Sequence, residues 1–375
     1  SVTITLIISC LGFIHYKRGG NEELPPLLFI GMKKVIVTGG TGYIGSHTAV
    51  SLIESGYEVV IIDNLINSSR DTLGGIEAIT DVRPTFVELD LCEQAQLDRF
   101  LEQHQDAVAV IHFAALKAVK ESVEQPLSYY HNNLTALLYL LDGMRKYGIP
   151  NLVFSSSATV YGAADQLPLT EKSPTKPATS PYGSTKQMGE DILRDLAKAD
   201  PNCHFISLRY FNPIGAHPSG HIGELPQGVP NNLMPFITQT AAGVRKELLV
   251  FGDDYNTPDG TAVRDYIHVV DLAEAHVLAV DRLTKTATKT GFEVFNLGTG
   301  TGSTVLEVIQ SFERTSGTKL NYRIVERRAG DVEALYTATE HAEAALNWRA
   351  KYTLDDMTAS SWNWEQKLRA TTQLS

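Results

Sequence analysis

The sequence is poor in cysteine, and what little it has is scattered. Its three cysteines, Cys10, Cys92 and Cys203, form no CxxC pair in a chain of 375 residues. This usage excludes a disulfide framework and a cysteine-based metal site, and it favours a reducing, cytoplasmic location. The histidines also lack the spacing of metal ligands, so we expect no metal site.

The chain also has no excess of positive charge. The formal net charge of −11 argues against a nucleic acid or an anionic membrane surface as a partner. The apolar stretch VTITLIISCLGFI near the start is too short to span a bilayer comfortably, and it lacks the basic flank and cleavage site of a signal peptide. We expect residues 1–31 to be an extension that precedes a natural start at Met32 or packs poorly, with weak membrane attachment as the alternative.

The composition is that of an ordinary globular protein, with 43% hydrophobic and 20% charged residues. A chain of this length exceeds one simple core, so one large domain or two closely joined domains are expected.

The most informative segment runs from residue 33 to 65. A buried strand is predicted over Lys33–Thr38, glycines follow at positions 39, 42 and 45, a helical stretch continues to about Ser55, and a second strand ends on Asp63. This order is typical of a dinucleotide-binding unit, in which the glycines let the backbone approach a pyrophosphate at the start of the helix. Asp63 is expected to accept hydrogen bonds from the adenosine ribose and to repel a 2′-phosphate, which favours NAD over NADP.

The same alternation of strand and helix continues along the chain. Further strands are predicted over 84–91, 107–116, 151–162 and 204–215, with a helical stretch over 134–147. Near-continuous apolar strands separated by helices predict an α/β fold with a doubly wound, Rossmann-type parallel sheet. Ligands bind beyond the carboxyl ends of the strands in such sheets, and polar clusters follow several of these strands.

The stretch SPYGSTK places Tyr182 and Lys186 four residues apart, on one face of a predicted helix. A nearby fixed positive charge should lower the pKa of a phenol below its usual value of about 10. Ser180 and Pro181 have the character of a helix start, so two exposed residues at the beginning of a helix are the alternative.

The glycine spacing in GGTGYIG together with YxxxK resembles the extended short-chain dehydrogenase/reductase family. The words FAALKAVKESV, FSSSATVYG, RYFNPIGAHPSG, PNNLMPFI, GTAVRDYIHVVDLA and RRAGD resemble its UDP-sugar 4-epimerases. The resemblance runs from about Met32 to the C-terminal tail. It implies an isomerase that interconverts UDP-glucose and UDP-galactose at C4 through a transient 4-keto sugar, with tightly bound NAD.

The resemblance also implies roles for individual residues. Tyr182 matches the catalytic base, Lys186 the lysine that lowers its pKa, and Ser157 the hydroxyl that assists the proton. Cofactor contacts are implied for Gly39, Gly42, Tyr43, Ile44, Gly45, Asp63, Asn64, Asp90, Leu91, Phe113, Ala114, Lys117, Asn132, Ser157, Tyr182, Lys186 and Phe211. Substrate contacts are implied for Ser157, Tyr182, Asn212, Asn232, Leu233, Phe251, Arg264, Arg328, Asp331 and Leu335.

The C-terminal half has fewer regular strands and more proline and glycine. We predict a cofactor domain over 32–212 and a smaller α/β substrate domain over 213–375, with part of 265–300 returning to the first domain. The sequence GTGTG near residue 300 is interpreted as a turn rather than a second phosphate loop. Apolar stripes on 132–146 and 187–199 are compatible with a homodimer contact, which the resemblance favours.

Three alternatives follow from the same fold. A nucleotide-sugar 4,6-dehydratase needs an acid and base pair after the serine strand, where this chain has Ala158 and Thr159. A wider substrate range, including UDP-N-acetylhexosamines, is suggested by Leu335, because some relatives have a bulky tyrosine there. A non-catalytic NAD-sensing protein would be expected to lose the tyrosine, lysine or serine, and this chain has all three.

Overall fold

The computed structural model describes residues 7–8, 14–15, 31–285, 291–328 and 331–372. Residues 7–8 and 14–15 form a short antiparallel pair of strands, and most of the predicted extension over 1–31 lies outside the described residues. In the described part of the chain, no helix combines the length and the apolar character needed to cross a membrane.

The elements are numbered in chain order. The strands are β1 (Ile7–Ile8), β2 (Ile14–His15), β3 (Lys34–Thr38), β4 (Glu58–Asp63), β5 (Thr85–Glu88), β6 (Ala107–His112), β7 (Asn151–Ser157), β8 (His204–Tyr210), β9 (Asn212–Ile214), β10 (Leu248–Phe251), β11 (Val263–Arg264), β12 (Tyr266–His268), β13 (Phe292–Leu297), β14 (Ser303–Thr304), β15 (Tyr322–Val325) and β16 (Ala334–Leu335). The helices are α1 (Tyr43–Glu54), α2 (Thr72–Thr80), α3 (Gln94–Gln103), α4 (Val119–Glu124), α5 (Pro126–Tyr147), α6 (Pro181–Ala199), α7 (Leu233–Ala241), α8 (Val269–Lys285), α9 (Val305–Ser316), α10 (Glu340–Leu346) and α11 (Leu354–Thr372), with a 3₁₀ turn over Ala158–Tyr161.

Seven strands form one parallel sheet in the order β13-β8-β7-β6-β3-β4-β5. Successive residues of β3 enter two different hydrophobic cores, since Val35 and Val37 pack into one and Ile36 into the other. Both faces of the sheet are therefore covered, which confirms the predicted doubly wound fold. The chain order reverses between β3 and β6, and ligands bind at such a reversal in sheets of this kind.

The strands are shorter than predicted at their carboxyl ends. β6, β7 and β8 end at His112, Ser157 and Tyr210 because the chain leaves the sheet there, for a loop, a 3₁₀ turn and the separate strand β9. The predicted helix over 134–147 begins eight residues earlier, with Pro126 at its first position, a placement that proline favours.

The C-terminal half forms a second, smaller core. Ile214, Met234, Leu248 and Phe312 belong to it, between α7, α9 and the short strands β9, β10 and β12. The strand β13 pairs with β8 in the large sheet, so the chain returns to that sheet at 292–297. The domain boundary at 212/213 stays a prediction.

Candidate active site

The turn between β3 and α1 needs glycine at two positions. Gly39 has a φ of +69°, and a Cβ there would lie 2.8 Å from the backbone nitrogen of Ala114. A Cβ on Gly45 would lie 2.3 Å from the carbonyl oxygen of Gly39. Gly42 caps α1 without a side chain, which leaves the first N–H groups of the helix open to a ligand. The backbone thus forms a tight cradle suited to a pyrophosphate.

Asp63 stands at the end of β4, next to this turn, and its side chain organises the adjoining loop. One carboxylate oxygen accepts the backbone N–H of Thr41 at 3.2 Å. The other accepts the N–H of Leu65 at 2.9 Å and the hydroxyl of Ser68 at 3.0 Å. A carboxylate has about four acceptor positions, so Asp63 retains capacity for a ribose hydroxyl.

A cavity of about 180 Å³ opens above the carboxyl ends of β3, β4 and β6. Most of the predicted cofactor residues line it: Gly39, Gly42, Tyr43, Ile44, Gly45, Asp63, Asn64, Asp90, Leu91, Phe113, Ala114, Lys117, Asn132, Tyr182 and Lys186. Ser157 and Phe211 do not reach its wall. The glycine cradle, the buried carboxylate and the apolar floor fit a dinucleotide, so these residues would hold NAD.

The predicted catalytic pair, Tyr182 and Lys186, lies at the start of α6. The hydroxyl of Ser180 accepts the backbone N–H of Gly183 at 3.2 Å and Pro181 occupies the first turn, which fixes where the helix begins. Tyr182 is half-buried and Lys186 is buried, and both line the same cavity as the glycine turn. The Lys186 ammonium donates to the carbonyl oxygen of Ser155 at 2.6 Å and lies 5.8 Å from the centre of the Tyr182 ring.

Burial dominates the protonation of both groups in the chain without ligands. Burial raises the pKa of Tyr182 to about 12, and a hydrogen bond with Ser157 opposes that change. Burial lowers the pKa of Lys186 to about 7, and the charge of Glu190 opposes it. The four-residue spacing alone had predicted that Lys186 brings the Tyr182 phenol to an anionic state. Because burial dominates, the lysine does not do so by itself.

The three serines at the end of β7 have different partners, because successive residues of a strand point to opposite faces. The hydroxyl of Ser157 accepts the N–H of Thr159 at 3.2 Å, which shapes the turn after the strand. The hydroxyl of Ser155 contacts that of Tyr210 on β8. The hydroxyl of Ser156 donates to Glu190 on α6 at 2.6 Å.

Six of the predicted substrate residues form two groups outside the cavity. In the first, Arg264 on β11 pairs with the Asp331 carboxylate and donates to the carbonyl oxygen of Val332 at 2.9 Å. The N–H of Asp331 in turn donates to the carbonyl oxygen of Arg328 at 3.1 Å, and the Arg328 guanidinium lies 4.5 Å from the centre of the Phe251 ring. Two arginines and an aromatic ring are thus brought together from distant parts of the chain.

The second group surrounds the start of α7. Asn232 caps this helix and Leu233 is its first residue, but the Asn232 side chain makes no capping bond. Its amide donates instead to the Glu224 carboxylate at 2.7 Å. The Lys117 ammonium lies 4.0 Å from that carboxylate, so Glu224 connects a predicted cofactor contact with a predicted substrate contact.

Leu335 lies beside the 3₁₀ turn that follows the serine strand. Its backbone is paired with Arg264 across β11 and β16. Its side chain packs against a small core that includes Ala158 and Phe211. Asn212, next to Phe211, lies on β9 and pairs with Tyr266. A dehydratase would require carboxylates just after Ser157. Residues 158–159 contain none.

Sequence reasoning placed Ser155 and Tyr210 in polar clusters at strand ends without assigning them a contact, and both line the cavity. Ser68, which also lines it, and Glu224 were missed. Glu224 lies in an irregular loop with no local signature. Among the described residues, no group of three or more His, Cys, Asp or Glu is arranged to hold a metal ion.

Known proteins resemble this chain over most of its length. Residues 35–298 match the model of the NAD dependent epimerase/dehydratase family. The UDP-glucose 4-epimerase of Bacillus subtilis (strain 168) is 53% identical over 331 residues, covering 88% of this chain and 96% of that protein. The crystal structure of UDP-glucose 4-epimerase from Bifidobacterium longum in complex with NAD+ and UDP is 48% identical, with a TM-score of 0.85 and coverage of 89% and 98%.

A second solved structure is the UDP-Glc/GlcNAc 4-epimerase of Campylobacter jejuni. It is 35% identical to this chain, with a TM-score of 0.77 and coverage of 89% and 99%. The family match spans more than half of the chain, and the Bacillus relative exceeds half identity across nearly all of it. The chain belongs to the NAD dependent epimerase/dehydratase family.

Proposed function

We propose that this chain is an isomerase that interconverts UDP-galactose and UDP-glucose by inverting C4, with NAD held tightly throughout. The observation that carries this function is the wall of one cavity, where Tyr182 and Lys186 meet the glycine turn of β3 and α1. The similarity to UDP-glucose 4-epimerases over nearly the whole chain supports the same reaction.

The chain's own residues handle the proton of the 4-hydroxyl. Tyr182 as phenolate accepts that proton, and the Ser157 hydroxyl hydrogen-bonds the same sugar oxygen and assists the transfer. Bound NAD supplies an acceptor and donor for the C4 hydride, together with a positive charge. A positive charge beside Tyr182 lowers the pKa of its phenol from the value that burial sets. Lys186 donates to the Ser155 carbonyl oxygen, and this bond holds the Tyr182–Lys186 pair in place.

Inversion requires that the nucleotide be held firmly while the sugar turns. Arg264 and Arg328 are proposed to bind the UDP pyrophosphate, since a guanidinium offers a planar fork that matches phosphate oxygens. Phe251, Asp331, Asn212, Asn232 and Leu233 complete the proposed UDP site. The Arg264–Asp331 ion pair supports this role because it holds the guanidinium in a fixed direction.

UDP-N-acetylhexosamines are a proposed second class of substrate. Leu335 packs beside Phe211 and Ala158, and a leucine at this position leaves more room than a tyrosine would. The Campylobacter jejuni relative is named as acting on both UDP-Glc and UDP-GlcNAc. Purified protein should convert UDP-N-acetylgalactosamine. No turnover of that sugar beside rapid turnover of UDP-galactose would end this proposal.

A homodimer is the proposed assembly. Large apolar side chains are exposed on three neighbouring helices: Val119 and Val123 on α4, Leu127 and Leu138 on α5, and Met188 on α6. Leu127 is 71% exposed, and several large apolar side chains exposed on neighbouring helices support an interaction site. A second copy presenting the same face would bury it.

Light scattering after size exclusion tests the assembly. The chain should elute as two copies, and Leu127→Glu with Leu138→Glu should give one copy. Val244→Glu, at an exposed apolar residue elsewhere, is the control and should leave the dimer intact. A single copy for the unaltered chain would contradict the proposal.

The cytoplasm is the proposed location. Cys92 and Cys203 are free cysteines, and a reducing compartment keeps thiols in that state. Fractionation of the source cells should find the protein with cytosolic markers, and recovery with the membrane fraction would contradict the assignment.

The reaction is tested with purified protein and UDP-galactose, without added NAD. UDP-glucose should form in a coupled assay, and heat-denatured protein should release about one NAD per chain. Formation of no UDP-glucose by protein that carries NAD would overturn the proposed function.

A further inference from the structure

A third residue follows Tyr182 and Lys186 along the same face of α6. Glu190 comes four residues after Lys186, and such spacing places side chains on one face of a helix. Glu190 is 2% exposed, and its charge is matched by Arg209 on β8, which is 4% exposed. Neither residue lines the cavity, and beyond the effect of the Glu190 charge on the pKa of Lys186 the proposed chemistry gives them no role.

The Glu190 carboxylate is bonded on two sides. One oxygen accepts the Ser156 hydroxyl of β7 at 2.6 Å and the Nε of Arg209 at 2.8 Å. The other oxygen accepts from the guanidinium Nη2 of Arg209. The carboxylate therefore ties α6 to two neighbouring strands. The bonded residue of β7, Ser156, lies between Ser157 and Ser155, whose carbonyl oxygen accepts the Lys186 ammonium.

The network continues past the arginine. Arg209 donates from Nη1 to the Tyr161 hydroxyl at 2.9 Å, and that hydroxyl donates to the Asn296 side chain at 2.6 Å. Tyr161 ends the 3₁₀ turn that follows Ser157, and Asn296 lies on β13. The segments that carry Tyr182, Ser157 and the turn after it are thus joined by directional bonds.

A buried ion pair is weak support for stability, because removing two charges from water costs about as much as their attraction returns. The apolar contacts of α6, such as Leu193 in the core beside the sheet, drive its packing but are not directional. Hydrogen-bonded groups in a low-dielectric interior are directional, and a fully satisfied network fixes one arrangement. Geometry is therefore what this network adds to the fold.

We propose that Glu190 is a positioning residue: through Ser156 and Arg209 it fixes α6 against β7 and so sets the distance between the Tyr182 phenol and the Ser157 hydroxyl. The inference rests on the proposed function, in which those two hydroxyls act on the same sugar oxygen. The groups that bind UDP lie on other segments, so the effect of Glu190 falls on turnover rather than on substrate binding.

Two variants test the tie. Glu190→Gln removes the charge, and Ser156→Ala removes only the bond to β7 and leaves the ion pair. We expect kcat for UDP-galactose to fall about ten- to a hundredfold in Glu190→Gln and less in Ser156→Ala, with KM nearly unchanged, because small displacements of reacting groups have effects of that size. The variants should retain NAD.

The control is a second ion pair far from the cavity. Arg282 on α8 donates to Glu293 on β13 at 2.8 Å and 2.7 Å. Glu293→Gln should lower the melting temperature and leave kcat unchanged. A role in stability alone predicts the same pattern for Glu190→Gln, and that result would overturn the inference. If Glu190→Gln does not fold, unchanged kcat in Ser156→Ala overturns it.

A double-mutant cycle with Ser157→Ala separates positioning from independent effects. Once the Ser157 hydroxyl is absent, its distance to the phenol no longer matters, so Ser156→Ala should cost less in that background than alone. Additive losses would contradict the role. The proposed function is tested separately by the unaltered chain: failure of that chain to convert UDP-galactose removes the function and the inference with it. Normal conversion together with additive losses removes only the inference.

Discussion

The cofactor side and the substrate side of the molecule are built in different ways. The centre of the cofactor side is one continuous segment, in which a strand, a glycine turn, a helix and a second strand follow each other within about thirty residues. Later segments, such as those with Phe113 and Lys186, complete the wall of the cavity. The substrate side draws Arg264, Asp331 and Phe251 from a two-residue strand, a loop and a strand end. The glycine turn is local in sequence, whereas the substrate side exists only after folding.

The difference has a consequence for how each side fails. On the cofactor side, close backbone contacts leave no space for an added atom, as at Gly45. On the substrate side, the proposed binding depends on partly exposed charged side chains that pair with one another, such as Arg264 and Asp331. We expect substitutions on the cofactor side to affect folding and NAD retention, and those on the substrate side to affect KM.

The largest effect is expected where the two sides meet. Tyr182→Phe removes the phenolate oxygen that is proposed to accept the proton, and kcat should fall about 10²- to 10⁴-fold, the range for loss of a general base. NAD content should stay unchanged, since the ring and Lys186 remain. The measurement is the coupled assay on protein with quantified NAD, and normal turnover in the variant would remove the assigned base.

Gly45→Ala probes the cofactor side. The added methyl group would overlap the Gly39 carbonyl at 2.3 Å, so the free energy of unfolding should fall by about 1–3 kcal/mol, typical of overpacking. Less NAD should be recovered with the protein. Gly74→Ala on α2, where a Cβ meets nothing within 4 Å, is the matched control in urea unfolding. Equal stability of both variants would show that the turn is not tightly packed.

Arg264→Lys probes the substrate side. Lysine keeps the charge but loses the planar fork, so KM for UDP-galactose should rise about tenfold with little change in kcat. The free energy of unfolding should be close to that of the unaltered chain. Arg323→Lys, in an exposed pair with Glu247, should leave both kinetic constants unchanged. A fall in kcat without a rise in KM would contradict pyrophosphate binding.

The smallest expected effect is on the pH dependence of the free energy of unfolding, through a histidine buried in the sheet. Burial lowers the pKa of His112 on β6 to about 3, from 6.5. Between pH values of about 3 and 6.5, His112 therefore binds a proton in the unfolded chain but not in the folded chain. The free energy of unfolding falls as the pH drops below about 6.5. His112→Gln should reduce the loss in unfolding free energy between about pH 7.5 and pH 5.5 by about 1 kcal/mol.

The comparison for that measurement is the unaltered chain, unfolded in urea over the same pH range. An identical pH dependence in the His112 variant would mean that this histidine accepts its proton without cost in the folded state.

The sequence predicted the sheet well because its signals are local. The glycine spacing and apolar strands placed β3, α1 and β4 to within a few residues, and the fold was confirmed. The start of α5 was wrong because its first two turns carry few apolar residues, although Pro126 marks the position. The protonation of Tyr182 was missed because burial, which depends on the whole fold, outweighs the neighbouring lysine.

The partners of Glu190 and Glu224 could not be read from the sequence either. Arg209 lies inside an apolar strand, nineteen residues from Glu190. No sequence spacing predicts that a residue of α6 will pair with a particular residue of β8. On the substrate side, only the resemblance identified Arg264, Arg328 and Phe251, because their neighbours are brought together by loops.

The most direct test follows the hydrogen on C4. Tyr182 and Ser157 can exchange protons only with oxygen, so the carbon-bound hydrogen should stay with the sugar through bound NAD. UDP-galactose carrying deuterium at C4 should give UDP-glucose that retains the deuterium, and unlabelled substrate in heavy water should gain none at C4. Loss of the label to solvent would contradict the account.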